Sequence, residues 1–191
     1  MNNRDIQREK TKRKIYDVAF TLFDQYCYDK VKVSDIAKEA GVSVGSVYYH
    51  YKNKEAIIDY GYYEFDLLLK DIYEKQSFKS SREAILFLIG YQIKMTIERL
   101  GLKRASICFK NQMNSENTYL YSNDRYLYQK LLDNLNKQEL KALDSEHVAK
   151  MILRISRGSI YDWCCHEGNY DLKEAVLEEV SIVLDYIGLG S

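Results

Sequence analysis

Residues 33–54 read VSDIAKEAGVSVGSVYYHYKNK, and this stretch decides the architecture. It reads as two short helices joined by a tight turn. Ile36, Ala37 and Ala40 place an apolar stripe on the first helix, at the i, i+1, i+4 spacing that faces a partner. Gly41 follows where a helix ends in the left-handed conformation that glycine enters without steric cost. Ser43 is positioned to cap the next helix through its hydroxyl. That helix, about 44–51, buries Val47 and Tyr51 and turns Ser46, Tyr49 and His50 outward. An exposed face of small, hydroxylic and aromatic residues flanked by lysines suits the major groove of DNA.

The run IAKEAGVSVGSVYYHYKNKEAI resembles the DNA-binding signature of tetracycline-repressor-like (TetR-family) regulators, roughly I-A-x-x-A-G-V-S-x-G-T-x-Y-x-x-F-x-x-K-x-x-L. Ile36, Ala37, Ala40, Gly41, Val42, Ser43, Gly45, Tyr48 and Lys54 match it as they stand. Ser46 replaces the usual threonine, Tyr51 the usual phenylalanine, and Ile57 or Ile58 serves for the leucine. The resemblance implies a homodimer whose recognition helices enter successive major grooves of a palindromic operator, about 34–36 Å apart. Carried over residue by residue, Ser43, Gly45, Ser46, Tyr49 and His50 lie at the groove, and Tyr48 and Lys54 at the DNA backbone. Lys32 stands where a threonine often caps helix two and binds phosphate. It reaches phosphate by charge, with the cap expected from Ser34. Val44 stands where many members carry a polar or basic residue, which makes the base preference there more apolar.

Composition fits an all-α chain. Across 191 residues there is no proline and only 9 glycines, with 46% hydrophobic residues, which favours long uninterrupted helices. The length allows a substantial core, in one domain or two small ones. No apolar run reaches the 18 or so residues of a membrane span. Residues 1–14, MNNRDIQREKTKRK, lack the apolar core of a secretory signal. Cysteines at 27, 108, 164 and 165 do not form a disulfide framework, and a cytoplasmic setting is expected. Net charge is zero but uneven. Residues 1–54 carry 11 Lys+Arg against 7 Asp+Glu, and residues 55–191 carry 17 against 21. A basic head on an acidic body fits a head that meets phosphate.

Periodicity predicts about nine helices, with a three-helix helix-turn-helix head over 1–54 and a helical ligand-binding and dimerisation body over 55–191. Helix one, about 8–26, carries the stripe Ile15, Val18, Ala19, Leu22, Phe23 and Tyr26. Before it, Lys10, Lys12, Arg13 and Lys14 form a basic arm that either touches DNA or is a solvated terminus. Helix four, about 54–75, runs from head to body as a lever. Helix five takes Ser81 as its cap and ends near 100–101. A shorter helix covers about 102–114, a polar loop 114–123, and another helix 124–137. Helix eight, about 145–166, and helix nine, about 172–187, carry wide apolar faces. Ser156, Gly158 and Ser159 allow close helix approach. From these, Ile152, Ile155, Ser159, Val176, Val180, Val183 and Leu184 are expected at a four-helix dimer interface, which the resemblance also implies.

The resemblance further implies a pocket for a small inducer in the body. The chain has 18 tyrosines, and an aromatic-lined pocket suits a flat aromatic or amphipathic ligand. Phe65, Tyr91, Met95, Phe109, Gln112 and Trp163 are the candidate lining. Inducer binding is expected to alter the separation of the two heads through helix four. Cys164, Cys165 and His166 are consecutive on a helix, point in different directions and cannot chelate one ion together; no metal or cofactor is expected. An enzyme is disfavoured: there are no paired E-x-x-H motifs, no glycine-rich phosphate loop and no nucleophile–base set. The remaining alternative is an adaptor whose three-helix head binds a protein instead of DNA.

Overall fold

The computed structural model describes residues 3–112, 119–141 and 143–189, with only the backbone of Asn111 and Gln112. Among these residues there are nine α-helices and no strand. The chain divides into two compact units. The first comprises Met1–Tyr63 and Ile107–Leu120, the second Glu64–Ser106 and Tyr121–Ser191. The units therefore do not follow a single cut after residue 54, because a second segment belongs with the first.

In the first unit, α1 spans Asn3–Gln25, α2 Val33–Ala40 and α3 Val44–His50, followed by the start of α4, Lys54–Tyr73. The unit also holds the end of α6, Gly101–Gln112. α1 begins earlier than its apolar stripe, so the basic arm is helical. Ile15, Ala19, Leu22 and Phe23 are buried as the stripe predicts, and Phe20 joins them. Tyr26 does not; it is 57% exposed just beyond the end of α1. Gly41 ends α2 at φ +63, with Val42 N donating to Ala37 O at 2.9 Å. Ser43 Oγ accepts from Ser46 N at 3.0 Å and starts α3. Asn53 Oδ1 accepts from Ala56 N at 2.8 Å and starts α4. The cap on α2 comes from Asp35, whose carboxylate accepts from Lys32 N at 2.8 Å; the expected Ser34 is exposed.

In the second unit, α5 spans Ser81–Met95, α7 Tyr126–Leu135, α8 Ser145–Cys165 and α9 Leu172–Tyr186. The cap of α5 is Ser80 and not Ser81: Ser80 Oγ accepts from Glu83 N at 3.2 Å, while Glu83 accepts from Lys79 N at 2.7 Å. α5 ends at Met95 and passes into a wider π turn over Thr96–Leu100. Asp144 and Asp171 cap α8 and α9 through the amides of His147 and Glu174, both at 2.9 Å.

α9 lies against both α5 and α8, and α7 against the same two helices. This arrangement explains why the wide apolar arc of α9 is not a free face. Val176, Val180 and Leu184, with Ile152 of α8, are 0% exposed within the unit. They were expected at a subunit interface and instead form the core of one subunit. Ile155, Ser159 and Val183 keep partial exposure. A Cβ at Gly90 would sit 3.7 Å from Leu177 of α9, an ordinary van der Waals contact, so the α5–α9 packing does not require glycine there.

One buried ion pair joins α4 to α7. Arg125 Nη2 and Nε donate to Asp66 at 2.9 and 3.2 Å, and Tyr126 N donates to the same carboxylate at 2.9 Å. Both side chains are 3% exposed. Removing one partner of such a pair strands a charge in a low-dielectric interior. Asp66→Asn is therefore expected to destabilise the chain by about 3–5 kcal/mol in urea titrations followed by circular dichroism; a loss under about 1 kcal/mol would contradict this account.

Candidate DNA-binding surface and aromatic cluster

α3 sorts its residues by side. Val47 and Tyr51 are 1% and 3% exposed and pack against α1, α2 and α4. On the other side, Val44 is 42%, Tyr48 54% and Tyr49 72% exposed. Ser43 and Gly45 are exposed, and Ser46 and His50 half-buried. Tyr48 thus presents its ring to solvent as well as its hydroxyl. A Cβ on Gly45 would meet only Ser43 Oγ, at 3.8 Å, so internal packing does not require glycine there. Lys32, Lys38 and Lys52 are exposed around this face.

Lys54 is positioned differently from the others. Its Nζ donates to the carbonyls of Tyr28 and Val31, both at 2.9 Å, and lies 4.2 Å from the centre of the Tyr28 ring. The Tyr28 hydroxyl donates to Glu55 Oε1 at 2.9 Å. Burial, then the Glu55 hydrogen bond, pushes the Tyr28 phenol far above its ordinary pKa. The first two residues of α4 therefore fasten the segment between α1 and α2. This structural role was not legible from the signature, where Lys54 stood as a phosphate contact.

Lys12 is likewise engaged within the unit. Its ammonium sits 4.3 Å from the Tyr60 ring centre and 5.9 Å from those of Tyr51 and Tyr63. Tyr51 Oη donates to Lys12 O at 2.9 Å, which ties the end of α3 to α1. Lys10, Arg13 and Lys14 remain exposed. A cavity of about 280 Å³ lies beside Lys12, lined also by His50, Asp59, Tyr60, Tyr63 and Tyr119. Burial, and then the charges of Lys12 and Arg8, lowers the pKa of His50 from its ordinary value. The neutral ring carries one donor and one acceptor nitrogen.

The second unit holds a ladder of aromatic rings. Phe65 and Tyr91 lie 5.9 Å apart, Tyr91 stacks on Phe87 at 6.2 Å, and Phe87 meets Phe78 at 5.2 Å. Phe78 meets Tyr73 at 5.0 Å, and Tyr73 meets Tyr126 at 6.2 Å. All six rings are half-buried. The Tyr126 hydroxyl is buried with no hydrogen-bond partner among the described residues. Burial pushes its pKa up to about 12. An unsatisfied buried hydroxyl beside an aromatic wall is a position where a ligand's polar atom gains most.

Of the residues expected around a ligand, Phe65 and Tyr91 join this ladder. Met95 is half-buried in the last turn of α5. Trp163 is 8% exposed and covers Gly168, whose absent Cβ would sit 3.3 Å from the indole. Phe109 belongs to the first unit, and the Gln112 side chain lies outside the described residues. Tyr73, Phe78, Phe87 and Tyr126 complete the ladder and were not among the expected lining. Only Phe87, four residues before Tyr91 on one helix, carried a local signal.

Residues 15–60 match the family model described as "Bacterial regulatory proteins, tetR family". The chain is 24% identical over 195 residues to the HTH-type transcriptional regulator AcrR of Shigella flexneri, covering 94% of this chain and 90% of that protein. It resembles the transcriptional regulator FadR from Bacillus subtilis, solved with stearoyl-CoA, with a TM-score of 0.65, 20% identity, and 92% and 98% coverage of the two chains. It also resembles Thermus thermophilus FadR, a TetR-family transcriptional repressor solved with lauroyl-CoA, with a TM-score of 0.70, 16% identity, and 92% and 94% coverage. At these identities the two structures establish the fold.

The two roles assigned to exposed and internally bonded residues separate in stability measurements. Lys54→Met removes the donor shared by two carbonyls and is expected to cost about 2 kcal/mol in urea titrations. Tyr49→Ala, at an exposed ring, is expected to stay within about 0.5 kcal/mol of the unsubstituted chain. Equal losses for the two would contradict the assignment.

Proposed function

We propose that this chain, which belongs to the TetR family of bacterial transcriptional regulators, is a homodimeric repressor released from a palindromic operator by a small hydrophobic or aromatic ligand. It acts in the cytoplasm, with residues 1–54 as the DNA-binding region and residues 55–191 as the region for ligand and partner subunit. The observation that carries the reading is the two-sided recognition helix. Val47 and Tyr51 hold it by burial, while Ser43, Gly45, Ser46, Tyr48, Tyr49 and His50 are left to the groove. Lys32 supplies phosphate attraction, and Lys54 acts on DNA chiefly by holding α4 against the segment it fastens.

The ligand-binding surface is the aromatic ladder. An elongated apolar group lies along Phe65, Tyr91, Phe87, Phe78 and Tyr73, and a polar atom meets the Tyr126 hydroxyl. The two FadR complexes make acyl-CoA thioesters the first probes to use. α4 contributes residues to both units and is the covalent route by which occupancy at the ladder biases the head.

Dimerisation uses the side of α8 and α9 that the subunit core leaves open. Ser159 Oγ donates to Glu179 at 3.0 Å, so these positions adjoin across the helix pair. Ile155 and Gly158 flank one, and Ile182, Val183 and Tyr186 follow the other at helical spacing. Ile182 and Tyr186 are 63% and 66% exposed. Exposed apolar side chains in one stripe mark an interaction face.

The test is fluorescence anisotropy on the DNA flanking the protein's own gene, across a salt series, with acyl-CoA as competitor. Nanomolar binding to a palindrome that weakens steeply with salt is expected. Binding that is absent, or no tighter than to random DNA at low salt, would sink the DNA-binding reading and favour an adaptor. Acyl-CoA is expected to release the DNA, and Tyr126→Phe to need about tenfold more of it, the worth of one hydrogen bond. Release unaffected by Tyr126→Phe would contradict the role of the hydroxyl.

The dimer face has its own test. A Cβ at Gly158 meets nothing within 4 Å in the subunit, so Gly158→Trp is expected to fold. It is then expected to sediment as a monomer where the unsubstituted chain sediments as a dimer. A dimer that tolerates this tryptophan would place the interface elsewhere.

A further inference from the structure

The outward side of α3 is unusual for a helix that reads DNA in what it lacks. Val44–His50, VGSVYYH, contains no Arg, Lys, Asn, Gln, Asp or Glu. Those are the side chains that form paired hydrogen bonds with guanine or adenine, or accept from the cytosine amine. The nearest lysines in sequence, Lys38 and Lys52, lie outside the helix. They provide sequence-independent attraction to phosphate.

What the helix does present is apolar surface. Val44 is 42% exposed at the first position, and Tyr48, one turn later, is 54% exposed. The two stand at i and i+4, on one face. Gly45 beside Val44 adds no side chain, so another body can approach the Val44 methyls closely. The major groove offers one apolar group, the 5-methyl of thymine. The flanking lysines and the basic balance of residues 1–54 complement a polyanion and not an apolar protein surface.

We propose that Val44 is a specificity-determining residue that reads a thymine 5-methyl group in each operator half-site. This inference rests on the DNA-binding reading and adds to it the chemistry by which a base is chosen. Val44 and the Tyr48 ring edge form an apolar seat for the methyl, while Ser46 and His50 supply single hydrogen bonds to neighbouring base edges. Discrimination at that position comes from methyl burial.

The experiment replaces thymines of the operator one at a time by deoxyuridine. This removes the methyl and keeps every Watson–Crick hydrogen bond. The operator is first obtained by selecting bound duplexes from a random pool, which makes no use of the inference. At one thymine per half-site, uracil is expected to weaken binding by the full-length dimer about fourfold, the worth of one buried methyl group. In Val44→Ala the same replacement is expected to have no effect. An operator in which no thymine methyl matters, or a thymine preference that persists unchanged in Val44→Ala, would overturn the assignment. A random pool that yields no bound duplex would overturn it together with the DNA-binding reading. Binding without methyl dependence overturns this inference alone.

Discussion

The ammonium of Lys54, held by two backbone carbonyls and a tyrosine ring, is the constraint on which the head depends. The carbonyls of Tyr28 and Val31 belong to the segment linking α1 and α2. That segment makes one short 3-10 turn, in which Val31 N donates to Tyr28 O at 3.3 Å, and a carbonyl oxygen has two lone pairs, so both carbonyls can accept a further donor. Lys54 supplies one donor to each, and Glu55 accepts the Tyr28 hydroxyl from the next position. A charged donor makes these bonds roughly twice as strong as neutral ones. The first turn of α4 thereby fixes where α2 begins, and α2 in turn orients α3 through Ile36, Ala37 and Ala40. The exposed side of α3 is defined only because its other side has nowhere else to go.

The two units use different means to stay specific. The head relies on aromatic contacts and short helix caps. Tyr16 packs on Phe20 at 4.7 Å and on Tyr60 at 5.6 Å, and Gly61 is small because the Tyr16 hydroxyl would lie 2.8 Å from a Cβ there. The body relies on a polar network inside an apolar interior. Besides Asp66 and Arg125, Ser156 donates to Gln92 at 3.1 Å, with both residues buried. Such buried polar pairs add little net stability but penalise helices that slide out of register. Under the proposed function, a region that accepts a ligand without losing its fold benefits from contacts of that kind.

The helix-turn-helix was legible because its signals are local. The Gly41 stop, the Ser43 cap and the Val47 and Tyr51 side selection each span six residues or fewer. Signals that join distant parts of the chain were not legible. Asp66 and Arg125 are 59 residues apart and look like ordinary surface charges on amphipathic helices. The arc on α9 was correctly seen as too wide for solvent, but an apolar arc does not say what covers it. Here α5 and α8 cover it within one subunit, which leaves Val183 of the expected α9 residues on the open side, beside Ile182 and Tyr186. Ser80 and Ser81 are chemically equivalent neighbours, so the one-residue error at that cap was built into the reading. The Tyr126 hydroxyl was invisible for a further reason: a buried donor without a partner is a property of three-dimensional packing alone.

The central claim is that the exposed side of α3 meets DNA while the open side of α8 and α9 meets a second copy of the chain. Hydroxyl-radical footprinting of the protein, read by mass spectrometry with and without operator DNA, reports both surfaces through their tyrosines. Tyr48 and Tyr49, at 54% and 72% exposure, should oxidise readily in the free protein and become protected on DNA. Tyr186, at 66% exposure in the single chain, should already be protected in the free protein because the dimer covers it. Tyr48 and Tyr49 that stay reactive in a DNA complex, or a Tyr186 that reacts as an open surface, would contradict the account.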